Sequence, residues 1–160
     1  RYWIPEHSIS NIGYGTFTSS LYAYNYLLAY LVSGDKNQLD KAKQALDTQL
    51  GANPLSKSFI TGIGSNPVKY PMSNLSDFDG VEEPVPGYLV MGPSKGLSYN
   101  GSYYDRILDY SYPPFRASST LASYPVARKY VDSNKTTMFS EYSINSLAPL
   151  AAVYGYFFKP

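Results

Sequence analysis

Hydrophobic positions recur at helical spacing from Thr16 to Ser33, where Phe17, Leu21, Tyr24, Leu28 and Leu31 share one face and Tyr22, Tyr26, Ala29 and Tyr30 the other. A helix that is apolar nearly all round has to be enclosed by other elements. Gly34 supplies its stop, because glycine takes up the left-handed conformation that ends a helix without steric penalty. After a turn at Asp35, the stretch from Lys36 to Leu50 sets Leu39, Ala42, Leu46 and Leu50 against Asp40, Lys41, Gln44, Asp47 and Thr48, which predicts a one-sided helix. An enclosed helix followed closely by an amphipathic one makes an α/α hairpin over residues 16–50, one helix lining an inner ring and its partner packed outside.

From Gly51 onward glycine and proline recur too often for long helices. Asn53-Pro54 keeps the chain extended, short β-prone pieces at Ser58–Thr61 and Gly87–Met91 alternate with turns, and Tyr103 to Tyr110 reads as one or two helical turns. Residues 51–118 therefore form a loop region, and a loop of this length within a compact domain is expected to build a binding surface. Residues 124–158 carry a polar loop and a final helix that starts at Ser143 or Ser146 and runs to Phe158. That helix is again apolar all round, and Pro149 fits if it falls in the first turn, where backbone N–H groups have no intrahelical partner. The pattern is that of an all-α protein with long loops and short β pieces.

Composition narrows the classes of partner. With 13 basic and 12 acidic residues the net charge is +1, which gives no field for steering polyanions, and no basic cluster interleaves with aromatics, so nucleic acid is not an expected partner. The longest apolar run is broken by Thr18, Ser19, Ser20 and Asn25 and predicts no transmembrane segment. The absence of cysteine excludes disulfides and thiolate metal sites. Acceptor sequons at Asn74, Asn100 and Asn134 favour a secreted glycoprotein. Sugars stack on flat rings with a polar edge, so among the 18 tyrosines those in loop contexts, Tyr88, Tyr99, Tyr103, Tyr104 and Tyr112, are candidate contacts for an oligosaccharide or polysaccharide, with Trp3. His7, the one histidine, is not expected to act as a base or ligand.

Chemistry enters at Ser140-Glu141-Tyr142-Ser143-Ile144-Asn145-Ser146-Leu147-Ala148-Pro149-Leu150, which places one carboxylate at the mouth of the final helix. Upstream lies Tyr124-Pro125-Val126-Ala127-Arg128-Lys129-Tyr130-Val131-Asp132, and the whole run resembles the C-terminal signature of family-nine glycoside hydrolases, mostly cellulases. Two earlier blocks repeat the likeness in the same order. They are Leu50-Gly51-Ala52-Asn53-Pro54 followed by Ser58-Phe59-Ile60-Thr61-Gly62-Ile63-Gly64, and then Pro84-Val85-Pro86-Gly87-Tyr88-Leu89-Val90-Met91-Gly92-Pro93.

The resemblance implies the C-terminal part of an (α/α)₆ barrel, with the N-terminal remainder of the same catalytic domain as the partner, in the same chain or a separate one. It implies inverting hydrolysis of a β-linked polysaccharide, Glu141 being the general acid and Tyr130 and Asp132 supporting its loop. Phe139, Tyr142, Leu147 and Tyr130 are expected to surround the acid with apolar groups that favour its protonated form. The family draws its base from an Asp-Ala-Gly-Asp type motif that does not occur here, so this chain alone is expected to be inactive. Met72-Ser73-Asn74 stands where the family carries His-His-Arg, Ser140 and Thr137 replace asparagine and tyrosine, and Tyr99 to Ser119 reads as an insertion. These departures leave a rival, a secreted glycan-binding or envelope protein on a catalytically degenerate scaffold. Family members often bind calcium, and the acidic run Asp77-Phe78-Asp79-Gly80-Val81-Glu82-Glu83 concentrates oxygen ligands around a glycine, but it is shorter than a recognised calcium loop and reads first as a solvated turn, with calcium the alternative. No other cofactor or metal site is expected.

Overall fold

The structure, a computed structural model, describes residues 19–93 and 125–158. The predicted hairpin forms as α1 (Ser19–Ser33) and α2 (Lys36–Gln49). Gly34, at φ +71°, donates its N–H to the Tyr30 carbonyl and ends α1, and the Asp35 side chain then caps α2 by accepting from the Asn37 amide at 3.0 Å. The third long helix, α5 (Ile144–Phe157), packs against α1, so α1 lies between α2 and α5. Two short helices, α3 (Asn74–Phe78) and α4 (Thr137–Ser140), and a 3₁₀ turn at Val126–Arg128 sit in the intervening loops.

The core is built from the small side of α1. Ala23 and Leu27 are buried against Ala45 and Leu46 of α2 and Leu150 and Val153 of α5, with Phe59, Ile60, Val68, Leu89 and Val90 supplied by the loops. The described residues alone do not supply the expected enclosure of α1: the side that meets α2 and α5 carries Ala23 and Leu27, while Leu21, Leu28, Leu31 and Val32 point away from the described elements and are exposed among them, the last at 91%. On α2 the predicted polar face loses Thr48, which is buried with its hydroxyl donating to the Gln44 carbonyl at 2.9 Å.

Pro149 also departs from expectation. It stands well inside α5, past the first turn, so the Asn145 carbonyl loses its intrahelical donor; Asn145 is exposed, which lets water take that place. The predicted β pieces appear as single antiparallel bridges, Ile60 with Leu89 and Val90 with Tyr142. They put the three sequence blocks side by side. Segment 58–61 bonds to segment 87–90 through Thr61 N to Tyr88 O and Val90 N to Phe59 O, both 2.9 Å, and segment 90–92 bonds in turn to residues 139–142.

Gly64 shows how tightly the first block is folded. A Cβ there would lie 2.8 Å from the Leu50 carbonyl and 2.8 Å from Ser58 Oγ, at a backbone φ of +82°. Gly34→Ala meets no such neighbour and should cost about 1 kcal/mol from the left-handed backbone alone. Gly64→Ala should cost at least about 2 kcal/mol, read as the difference in urea midpoint between the two variants of the full chain.

Candidate active site

Asp132 is the group around which the loops are arranged. Its side chain is 1% exposed, and Lys57 Nζ stands 3.3 Å from Oδ2. The Lys69 amide donates to Oδ2 at 2.9 Å and the Tyr70 amide to Oδ1 at 3.0 Å, bonds that reach across more than sixty positions of chain. The Lys57 ammonium has two further acceptors nearby, the carbonyls of Asn66 and Pro67 at 3.5 and 3.4 Å. A buried carboxylate is tolerated only with such partners, because the isolated charge would lose its hydration without return. Lys57 was not legible as a partner from sequence; the one signal was a lone cation in the otherwise neutral block Ser56-Lys57-Ser58-Phe59.

Asn53 fixes the turn that presents this lysine. Fully buried, it donates to the Thr48 and Lys57 carbonyls, both at 2.7 Å, and accepts from the Leu55 amide at 3.1 Å.

Tyr130 joins Asp132 to the loop ahead of Glu141. Its hydroxyl donates to Asp132 Oδ1 at 3.4 Å and is also hydrogen-bonded to the Ser140 side chain, while its ring packs edge-on to Phe59 at 5.4 Å and tilted against Phe139 at 5.5 Å. Burial of the hydroxyl, followed by the Asp132 charge, pushes its pKa well above the ordinary value. Ser140 is fully buried, its hydroxyl 3.4 Å from that of Thr136.

The backbone on both sides of Glu141 is held from outside. Gly92 N donates to Phe139 O at 3.0 Å, Met72 N to Ser140 O at 2.8 Å and Met91 N to Glu141 O at 2.9 Å. Glu141 itself is exposed between α4 and α5. The expected apolar enclosure of its carboxyl is therefore not supplied by the described residues. Phe139 is fully buried and packs on Tyr130, so it serves the interior of the loop rather than the acid.

Tyr88, predicted to contact sugar, lies half-buried in this neighbourhood and stacks on Tyr142, with ring centroids 4.1 Å apart and planes 10° from parallel. Tyr88 also lines an apolar hollow of about 530 Å³ between the 60–63 and 86–88 loops and α5. Its hydroxyl bonds to the side chains of Ser73 and Tyr142. The Ser73 bond lowers its pKa, but the Tyr142 bond, burial and the nearby Tyr142 and Asp79 charges together raise it. Sequence reasoning did not single out Tyr142 as more than an apolar neighbour. Tyr99, Tyr103 and Tyr112 lie outside the described residues, as do Trp3, His7 and the sequon at Asn100.

Of the remaining sequons, Asn74 is exposed in the first turn of α3, whereas Asn134 Nδ2 donates to Asp77 Oδ1 at 2.8 Å. The acidic run does not converge on a point: Asp79 Oδ1 accepts from the Val81 amide at 2.9 Å in a local turn. Among the described residues no three His, Cys, Asp or Glu side chains come together in a group that could hold a metal ion, and no helix is long and apolar enough to cross a membrane.

The chain matches the family model for glycosyl hydrolase family 9 over residues 5–154. A xyloglucan-specific endo-beta-1,4-glucanase of Bacteroides ovatus is 37% identical over 78 residues, which cover 49% of this chain and 13% of the relative. Endoglucanase D of Acetivibrio thermocellus is 37% identical over 80 residues, 48% of this chain and 13% of the relative. The solved thermostable endoglucanase of Alicyclobacillus acidocaldarius superposes with a TM-score of 0.71 at 25% identity, over 92% of this chain and 26% of that one. A Bacteroides ovatus family-nine structure gives 0.64 at 26% identity, over 85% and 20%. The chain thus spans about an eighth of the curated relatives' length and a fifth to a quarter of the solved chains, and its helices form part of an (α/α)₆ barrel.

Two outcomes follow from the geometry around Asp132. Asp132→Asn leaves the Lys57 ammonium buried without its counter-charge and should cost about 3–5 kcal/mol in urea denaturation. Tyr130 binds its proton more tightly when folded than unfolded, so stability is fully present below the ordinary tyrosine pKa of 10.0 and declines as pH rises beyond it. Tyr130→Phe should therefore show a shallower loss of stability than the parent between about pH 9 and about pH 11, measured by denaturation midpoints.

Proposed function

Because the chain belongs to glycosyl hydrolase family 9, we propose that the complete domain containing it hydrolyses β-1,4-linked glucan or a related polysaccharide outside the cell, by inversion. Glu141 is the general acid in this reading, and the base comes from residues beyond these 160. The observation that carries the assignment is the backbone around Glu141: three bonds from Met72, Met91 and Gly92 hold residues 139–141 while the carboxyl stays accessible. A catalytic acid has to be kept in place before its substrate arrives, and backbone hydrogen bonds do this at no cost during the reaction.

The reaction divides between two carboxyl groups. One protonates the leaving glycosidic oxygen as the C–O bond breaks, and the other takes a proton from the water that attacks the anomeric carbon from the opposite face; inversion requires about 6.5–9.5 Å between them. Polypeptide that closes the barrel over Glu141 would also exclude water, and with it supply the apolar surroundings that favour a protonated acid. Tyr130 and Asp132 support the acid loop, since the Tyr130 hydroxyl meets both Asp132 and Ser140. Tyr88 offers a ring to the sugar, and of the two described sequons the exposed Asn74 is the better placed to carry a glycan.

The rival, a glycan-binding protein without catalysis, draws support from Met72, which is 43% exposed beside the acid loop at a position where the family carries an ionisable group. Substitution of the acid separates the two. Glu141→Gln in the complete domain should lower kcat for release of reducing sugar from β-1,4-glucan by about 10²- to 10⁴-fold. Because the side chain is exposed, the circular dichroism spectrum should not change. Unaltered sugar release would reject the acid role.

A further inference from the structure

The geometry points to Tyr142 as a positioning residue: stacked on Tyr88 and bridged to Val90, it sets the direction in which Glu141 presents its carboxyl. This rests on Glu141 being the acid. Successive side chains of an extended segment project to opposite sides, and here Glu141 is exposed while Tyr142 is half-buried. Whatever fixes the Tyr142 ring therefore fixes the rotation of the strand about its own axis, and with it the side on which the carboxyl emerges.

Two contacts fix that ring. The near-parallel stack at 4.1 Å leaves it little freedom to tilt, and the bridge to Val90 holds the backbone that carries it. Tyr88 is itself tied down, because its amide donates to Thr61 Oγ1 at 2.9 Å, and its hydroxyl lies beside the Ser73 side chain. Ser73 caps α3 and adjoins Met72, whose amide holds the Ser140 carbonyl. The result is a closed loop of contacts, Ser140 to Met72, Ser73, Tyr88 and Tyr142, which returns to the acid from its other side. A sugar in contact with Tyr88 would press on the same pair, so substrate contact and acid placement would share one support.

The test uses leaving-group chemistry, which separates a misplaced acid from general damage. Cleaving glucan requires a proton on the departing alkoxide as the C–O bond breaks, whereas a dinitrophenolate departs as a stable anion without one. In the complete domain, Tyr142→Ala should lower kcat on β-1,4-glucan by about 10- to 100-fold. Its kcat on a dinitrophenyl β-cellobioside should stay within about threefold of the parent. Tyr142→Phe keeps the stack and should restore glucan turnover to within about threefold of the parent. Tyr142→Leu fills the space without a ring and stands in if the alanine variant does not fold. Equal loss on both substrates, loss on neither, or a raised KM with kcat preserved would overturn the positioning role. Glu141→Gln is measured alongside with the same pair of substrates. If it shows the leaving-group contrast and the Tyr142 variants do not, only the positioning role fails; if it shows no contrast, the acid assignment itself fails.

Discussion

The Lys57–Asp132 pair is the constraint on which the loop architecture depends. Neither charge is tolerable alone at that depth, so the loop carrying Lys57 and the segment carrying Asp132 have to meet, and the amides of Lys69 and Tyr70 have to turn inward to complete the carboxylate's shell. Regular secondary structure is sparse across residues 51–93. Hydrogen bonds to a buried anion do there what a ladder would do in a sheet: they fix one arrangement among many, at a desolvation cost that only a complete set of partners offsets.

From that hub the constraint travels outward to Glu141. Tyr130 couples Asp132 to Ser140, and the amides of Gly92, Met72 and Met91 hold Phe139, Ser140 and Glu141 in sequence. The three blocks that carry the family likeness are distant in sequence but adjacent in space, each bonded to the next. Their residues agree with one another because the backbones touch: glycine at position 64 permits the first block to fold under Leu50, and the bridges from Ile60 to Leu89 and from Val90 to Tyr142 carry that register to the neighbour of Glu141.

The helices were legible in sequence because their signals are local. Hydrophobic spacing located α1, α2 and α5 to within a few residues, and Gly34 and Asp35 marked the junction between the first two. Which face each helix buries was harder to read, because that depends on its neighbours: periodicity weighted Leu21, Leu28 and Leu31 of α1, whereas packing chose Ala23 and Leu27. Pro149 misled for a related reason, since exposure at Asn145 lets water take the place of the lost backbone donor and lessens the cost that a proline inside a helix usually carries. At the site, Glu141, Tyr130 and Asp132 stood out through the family pattern. Lys57 and Tyr142 did not, since a salt bridge or a ring stack between residues far apart in sequence leaves no periodic trace.

The side of α1 that the described residues leave uncovered gives them a graded stability. Each leucine at 21, 28 and 31 leaves part of the roughly 1.5–3 kcal/mol of a fully buried side chain unrealised, so the ordering of α1 leans on whatever covers that surface, whereas the charged hub is complete within the described residues. Heating or denaturant should loosen the helical wall first and leave the loops around Asp132 protected longest, an inversion of the usual order in which loops exchange their amide protons before helices do.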